Sequence, residues 1–309
     1  MTEISNYDHF DYDYSEYWKG RTYENESEKM ILSEIFSNYK GKWFLDVGGS
    51  YGRLTSTYYN RYSHPIVLDY SLKTLQKNYP IIQSKYPNTI FIAANAYKMP
   101  FKEDTFDGAL MVRVLHHIEK PDLYFKELKR ILYNNSVYVQ EFANKIHIKA
   151  RIRAILKKDF SIFNTEAYQQ PSSKNYEGTK EGEEALFLNY HPKYIKNLLE
   201  KNNLTLKKKY GCSYLRSQQL KKLIGEERMI DIEEILQKTF SWSNIPPSIF
   251  YETILKDDNK KAEGTDSLND ILVCPKCHSK LIFSSSTASC KKCKKDYYKK
   301  DNIWDFREN

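Results

Sequence analysis

Between residues 24 and 142 the chain alternates short apolar runs with amphipathic stretches, and this rhythm restricts the fold more than any other feature. WFLDV (43–47), PIVLDY (65–70), TIFIAA (89–94), FDGALMVRV (106–114) and SVYVQEF (136–142) read as buried strands. YENESEKMILSEIFSNYK, with Met30, Ile31, Ile35 and Phe36 at helical spacing, precedes the first strand. LTSTYYNRY, SLKTLQKNY and DLYFKELKRIL read as helices between strands. Strands separated by single helices need crossover connections, so the expected fold is α/β, a doubly wound and mainly parallel sheet. LTLKKKYGCSYLR (204–216) and SIFYETILK (248–256) bring the strand count to seven and are expected at an antiparallel edge.

Past Asn144 the rhythm breaks. Residues 145–190 hold a basic segment, HIKARIRAILKK, and a polar stretch without sheet signal, read as an inserted lid over the substrate side. Residues 257–269 are charged, small and non-periodic, as linkers are. The chain thus divides into a main domain (1–256), a linker (257–269) and a compact cysteine module (270–309), in keeping with 309 residues. Hydrophobic residues at 40% and charged residues at 28% exclude a disordered or fibrous chain. There is no apolar run long enough for a transmembrane segment, and the N-terminus is acidic and aromatic where a signal peptide is basic then apolar. A cytoplasmic location is therefore expected. The net charge of +8 permits phosphate-rich partners without requiring them.

FLDVGGSYGR (44–53) joins the first strand to the first crossover, where doubly wound sheets bind their ligands. A dinucleotide fingerprint requires G-x-G-x-x-G, which Gly48, Gly49 and Gly52 do not supply. A Walker loop requires Lys and then Ser or Thr, where Arg53 and Leu54 stand. What the stretch presents is Asp-x-Gly-x-x-x-Gly, with Asp46 at the strand end.

On these residues, over roughly positions 10–256, the chain resembles the class I S-adenosylmethionine-dependent methyltransferases, particularly the type 11 or UbiE-like group. Asp46, Gly48 and Gly52 match that family's D/E-x-G-x-G-x-G loop, with Ser50 in place of the middle glycine. AANAYKMPF (93–101) is similar to its G-D-A-x-x-L-P-F segment, with Asn95 in place of the aspartate. FDGALMVRVLHHIEKPDLYFKELKRIL is similar to its fourth strand and following helix. The resemblance implies S-adenosylmethionine as cosubstrate. Asp46, Gly48, Gly49, Ser50 and Gly52 would cradle its amino acid end, Asp69 and Tyr70 its ribose, and Asn95 and Ala96 its adenine. Arg113 is expected beside the cofactor carboxylate or the acceptor mouth. Tyr17, Trp18 and Arg21 resemble a Tyr-Trp-x-x-Arg arm, which would bring Arg21 to the cofactor carboxylate.

Methyl transfer from a sulfonium is an in-line displacement that an enzyme promotes mainly by proximity and alignment. A general base is needed only when the acceptor must lose a proton, and His116 is the candidate, with His117 read as a packing or capping residue. The expected acceptor is a small or lipid-like molecule. RNA is the alternative acceptor, and a cofactor-binding but inactive scaffold the alternative class. Nothing in the sequence fixes the acceptor or the number of subunits.

The cysteine module carries Cys274-x2-Cys277, twelve intervening residues, and Cys290-x2-Cys293. Two such knuckles supply four thiolates at the spacing of a closed structural zinc site. His278 adjoins the set as a bystander. The module resembles Trm112-like zinc ribbons, with Tyr297 or Tyr298 and the Ile303, Phe306 tail matching that family's pattern. That resemblance implies a built-in version of a methyltransferase-activating partner. Residues 270–309 carry a net charge of +4 before metal is counted, which leaves nucleic-acid contact as the other reading.

Overall fold

The computed structural model describes residues 17–169, 186–262 and 264–307. The start of the N-terminal arm and the polar part of the expected lid, 170–185, lie outside them. Helix α1 (Thr22–Ser37) buries Tyr23, Glu24, Ser27, Glu28, Ile31, Leu32, Ile35 and Phe36, a stripe at three- and four-residue spacing that mixes acids with aliphatics. Strand β1 (Gly41–Val47) follows, its WFLDV run buried on both faces as a central parallel strand requires. Next come α2 (Thr55–Tyr58), β2 (Tyr62–Asp69), α3 (Leu72–Lys85), β3 (Ile90–Ala93), β4 (Phe106–Met111), α4 (Pro121–Ile131) and β5 (Leu132–Ala143). Pro121 opens α4, and Lys129 and Arg130 close it, matching the polarity of the helix dipole.

After β5 the order is α5 (Ile148–Lys157), β6 (Tyr168–Gln169), β7 (Leu188–Asn189), α6 (Pro192–Lys201), β8 (Leu204–Cys212), α7 (Gln218–Ile224), α8 (Glu226–Phe240) and β9 (Ser248–Leu255). Helix α9 (Leu268–Ile271) leads into four short strands: β10 (Ile282–Phe283), β11 (Thr287–Cys290), β12 (Lys295–Lys300) and β13 (Ile303–Asp305). The sheet runs β10-β11-β12-β13-β3-β2-β1-β4-β5-β9-β8. Strands β1 to β5 are mutually parallel, and β9 runs antiparallel between β5 and β8. The seven-stranded, mainly parallel sheet read from the sequence is therefore present.

Three features depart from the sequence reading. The helix expected over LTSTYYNRY stops after one turn at Tyr58 and passes through a tight 3₁₀ turn, because β-branched and aromatic residues are weak helix formers. Within the stretch read as a lid, β6 and β7 pair antiparallel where no strand was expected; two-residue strands carry no periodicity to detect. The linker and the cysteine module are packed against the sheet. Trp43 Nε1 donates to the Thr265 carbonyl at 2.8 Å, Lys42 pairs with Asp266 at 2.9 Å, and β13 lies parallel to β3, aligning Trp304 with Ile92 and Asp305 with Ala93. One apolar core runs through Ile66 and Ile92 to Tyr297, Trp304 and Phe306.

Candidate functional site

The parallel register brings the carboxyl ends of β1, β2 and β3 level, with Val47 beside Leu68 and Asp69 beside Ala93. A cleft of about 830 Å³, counting its open mouth, lies across these ends. Its wall includes Gly48, Ser50, Asp69, Tyr70, Asn95, Ala96 and Arg113. The FLDVGGSYG loop holds this shape through left-handed backbone at Gly48 (φ 72°), Ser50 (φ 50°) and Gly52 (φ 69°). At Gly48 a Cβ would stand 2.4 Å from a methyl of Val114, itself a cleft residue, so a side chain there is excluded. Ser50, at the place of the family's middle glycine, adopts the glycine conformation, at a strain of order 1 kcal/mol.

Asp69 is fixed by the backbone on either side of it. The Ser50 N–H donates to Oδ2 and the Ser71 N–H to Oδ1, both at 2.9 Å. Ser71 caps α3: its hydroxyl accepts the Thr74 N–H at 3.1 Å. Asn95 is held by an internal turn in which Oδ1 accepts the Tyr97 N–H at 2.9 Å. Asp46 is not on the wall. It is buried beneath the loop, against the backbone of Gly49 and hydrogen-bonded by the Tyr58 hydroxyl at 2.9 Å. Burial lifts its pKa to about 7, aided by the Asp69 charge and opposed by Tyr58 and Arg53.

Arg113 sits where β4 ends, in left-handed backbone at φ 62°, its N–H donating to Glu141 Oε2 at 2.9 Å. Its guanidinium reaches back to the buried Glu28 of α1, at 2.6 Å and 2.5 Å to Oε1, while Arg53 meets Oε2 at 2.5 Å. Burial alone would raise the Glu28 pKa, but the two guanidiniums hold it below the ordinary carboxylate range. Trp18 stacks on Arg53 at 3.6 Å, so the N-terminal arm is seated on this ion-pair network. Arg21 is not a cleft residue; its guanidinium lies 4.0 Å over the Tyr17 ring.

Of the two histidines, the structure puts His117, not His116, on the cleft wall. His116 is buried and stacked on Phe187 at 4.2 Å, and burial pushes its pKa well below the ordinary value. His117 Nδ1 donates to the Leu186 carbonyl at 2.9 Å, and burial lowers its pKa to about 4. His116, the candidate base read from the sequence, is not among the residues that line this cleft.

In the C-terminal module, the Sγ atoms of Cys274, Cys277, Cys290 and Cys293 all lie within 4.8 Å of one another. A tetrahedral zinc with Zn–S bonds of about 2.3 Å sets sulfurs roughly 3.8 Å apart, so this all-thiolate set fits zinc. The Cys293 N–H points at Cys290 Sγ at 3.3 Å, and Cys274 and Cys290 are buried. His278 follows the first knuckle in left-handed backbone and is outside the cluster.

Residues 45–139, which carry the loop and the ends of β1 to β4 around the cleft, match a family profile described as Methyltransferase domain. These residues form a methyltransferase domain. An uncharacterized protein of Methanocaldococcus jannaschii is 32% identical over 151 residues; the match spans 45% of this chain and 59% of that relative's length. A candidate S-adenosylmethionine-dependent methyltransferase from Listeria monocytogenes superposes with a TM-score of 0.53 at 14% identity, covering 75% of this chain and 98% of the other. The structure of the Haloferax volcanii Trm112 methyltransferase activator with a candidate methyltransferase gives 0.51 at 10% identity, covering 77% and 92%. At such identities the structures establish a shared Rossmann-like methyltransferase fold.

In the methyltransferase domain, seven of the residues read from the sequence gather on one cleft, and Asp46, Gly49 and Gly52 support its loop from behind. Arg21 and His116 stand off it. Thr74, Tyr97, Val114 and His117 also line the wall without having been singled out as binding residues. Glu28 was legible in principle, since an acid on the same helical stripe as Ile31 and Ile35 has to find buried partners.

Proposed function

We propose that this chain binds S-adenosylmethionine across the strand ends and transfers its methyl group to a small or lipid-like acceptor. The observation that carries the reading is Asp69, a carboxylate on the cleft wall at the end of β2 that is oriented by the backbone N–H groups of Ser50 and Ser71, the chemistry and placement that suit a vicinal diol. When bound, the cofactor supplies an electrophilic methyl on a good leaving group. Asp69 and Tyr70 would hold its ribose, Asn95 and Ala96 its adenine, and the loop from Gly48 to Ser50 the amino acid end. The chain contributes orientation and exclusion of water rather than acid–base chemistry, consistent with the low pKa of His117.

The four cysteines fit a structural zinc, and the module is proposed as a built-in counterpart of the separate Trm112 activator. The domain division is proposed as 1–256, with a lid at 145–190, a linker at 257–269 and the ribbon at 270–309. Isothermal titration with S-adenosylmethionine tests the central reading. Saturable binding is expected, and Asp69→Asn should weaken it about tenfold or more, the loss of charge-assisted hydrogen bonds. No binding heat with millimolar cofactor, in protein shown to be folded by circular dichroism, defeats the proposal.

A further inference from the structure

Helix α5 is built the wrong way round for a helix on a soluble core. A surface helix ordinarily turns its apolar stripe inward. In α5 only Ala154 is buried, while Ile152, Ile155 (62% exposed) and Leu156 (79% exposed) face outward. The exposed apolar surface continues through Phe160 and Phe163, and Trp242, 76% exposed, lies on the loop that holds α5 down. That loop is fastened by the Ile148 N–H to the Ile245 carbonyl at 2.9 Å and by Arg151 to the Asn244 carbonyl at 3.4 Å. Single exposed hydrophobes are ordinary, but six along one short segment and its support mark a binding face.

The face is cationic as well. Residues 147–163 contain Lys149, Arg151, Arg153, Lys157 and Lys158 against Asp159, a net charge of +4. His147 feels this field: burial first, then Arg153, Lys149, Arg216 and Arg151, push its pKa down to about 4. Helix α5 leaves the carboxyl end of β5, the end of the sheet on which the cleft opens. Chain from the same insertion returns to the edge of that cleft, where the Leu186 carbonyl receives His117 of the cleft wall and Phe187 stacks on His116 behind it.

We propose that this face docks the protein on an anionic phospholipid bilayer, with α5 lying in the headgroup plane. A bilayer surface satisfies both halves of the pattern, since the aliphatic residues enter the acyl boundary while the lysines and arginines stay among anionic headgroups. RNA fits less well, because phosphates engage the cations but leave exposed isoleucine and leucine in water. A two-fold dimer through this face would set its +4 charge against itself. The inference goes beyond methyl transfer and is read without cofactor, so its failure leaves the cleft assignment standing.

The test is cosedimentation of the full chain with vesicles of phosphatidylglycerol or of phosphatidylcholine, at low and high salt. Binding to phosphatidylglycerol is expected, weakened by salt, with phosphatidylcholine far weaker. Reversing Lys157 to Glu should lower partitioning about fivefold or more, and the pair Ile155→Glu with Leu156→Glu about tenfold or more. Tryptophan emission should shift to the blue on binding, and Trp242→Phe should remove that shift. Ile81→Glu, at an exposed apolar position on α3, should bind as the parent does. No binding to phosphatidylglycerol at low salt, or equal binding by the Ile155, Leu156 double variant, overturns the proposal. A dimer in light scattering that the same double variant dissociates overturns it in favour of a second copy, and RNA that protects this face while vesicles do not overturns it in favour of nucleic acid.

Discussion

Asp46 offers a quantitative test of how the loop from Gly48 to Gly52 is supported. Its carboxyl is 2% exposed, and burial raises its pKa from the ordinary 3.8 to about 7. A carboxyl raised by folding contributes stability that is complete below pH 3.8 and is lost as pH climbs through about 7. At neutral pH ionised Asp46 therefore opposes folding. The gap between the two values, at about 1.36 kcal/mol per pH unit, comes to roughly 4 kcal/mol at pH 8, of which about 1 kcal/mol is already lost at pH 4.5. Asp46→Asn keeps the shape and an oxygen for the Tyr58 hydroxyl but cannot ionise. Its stability relative to the parent should rise by about 3 kcal/mol between pH 4.5 and pH 8. With a urea dependence of about 3 kcal/mol per molar, the two unfolding midpoints should separate by roughly 1 M more at the higher pH. Urea unfolding followed by tryptophan emission and by circular dichroism, at several pH values, reads this directly. Other carboxylates cancel in the difference, so a separation that stays constant with pH would refute the assignment.

Two further perturbations address the elements around the cleft. Glu28→Gln leaves Arg53 and Arg113 without the buried carboxylate they share, and should destabilise the protein by about 3–5 kcal/mol, seen as a clear drop in melting temperature, with part recovered when Arg113→Leu is added. Metal analysis should return one zinc per chain; its removal by a chelator should lower the melting temperature and shift the emission of Trp304, now 5% exposed, to the red, with zinc restoring both. An unchanged melt after complete zinc removal would contradict a structural role.

What could be read from the sequence follows from how local each signal is. Strands β1 to β5 declare themselves as apolar runs, and Asp69 as an acid at a strand end, because neighbours in sequence set both patterns. The four cysteines declare themselves by spacing alone. The pairing of β13 with β3 left no trace, since a three-residue strand carries no period and its partner lies some two hundred positions earlier. Separations of 25 and 85 residues, beyond any local pattern, hid the meeting of Glu28 with Arg53 and Arg113. His116 and His117 are alike in residue type and adjacent, and only the 3₁₀ turn Leu115–His117 decides which of them reaches the cleft. Ser50 looked like a missing glycine, but the loop specifies a backbone angle, which serine can adopt at a modest cost.

Strand β3 is four apolar residues, IFIA, and the strand that covers its outer edge is formed by Ile303–Asp305. During synthesis, about 210 residues must be added after Ala93 before that cover exists, roughly 10–40 s at ordinary elongation rates. For that interval an uncapped, uncharged sheet edge is open to pairing with other nascent chains. If the cover also requires zinc to fold, metal supply becomes a determinant of how much chain reaches the soluble state. Zinc-starved cells should then accumulate this protein in aggregates even where the methyltransferase domain itself needs no metal.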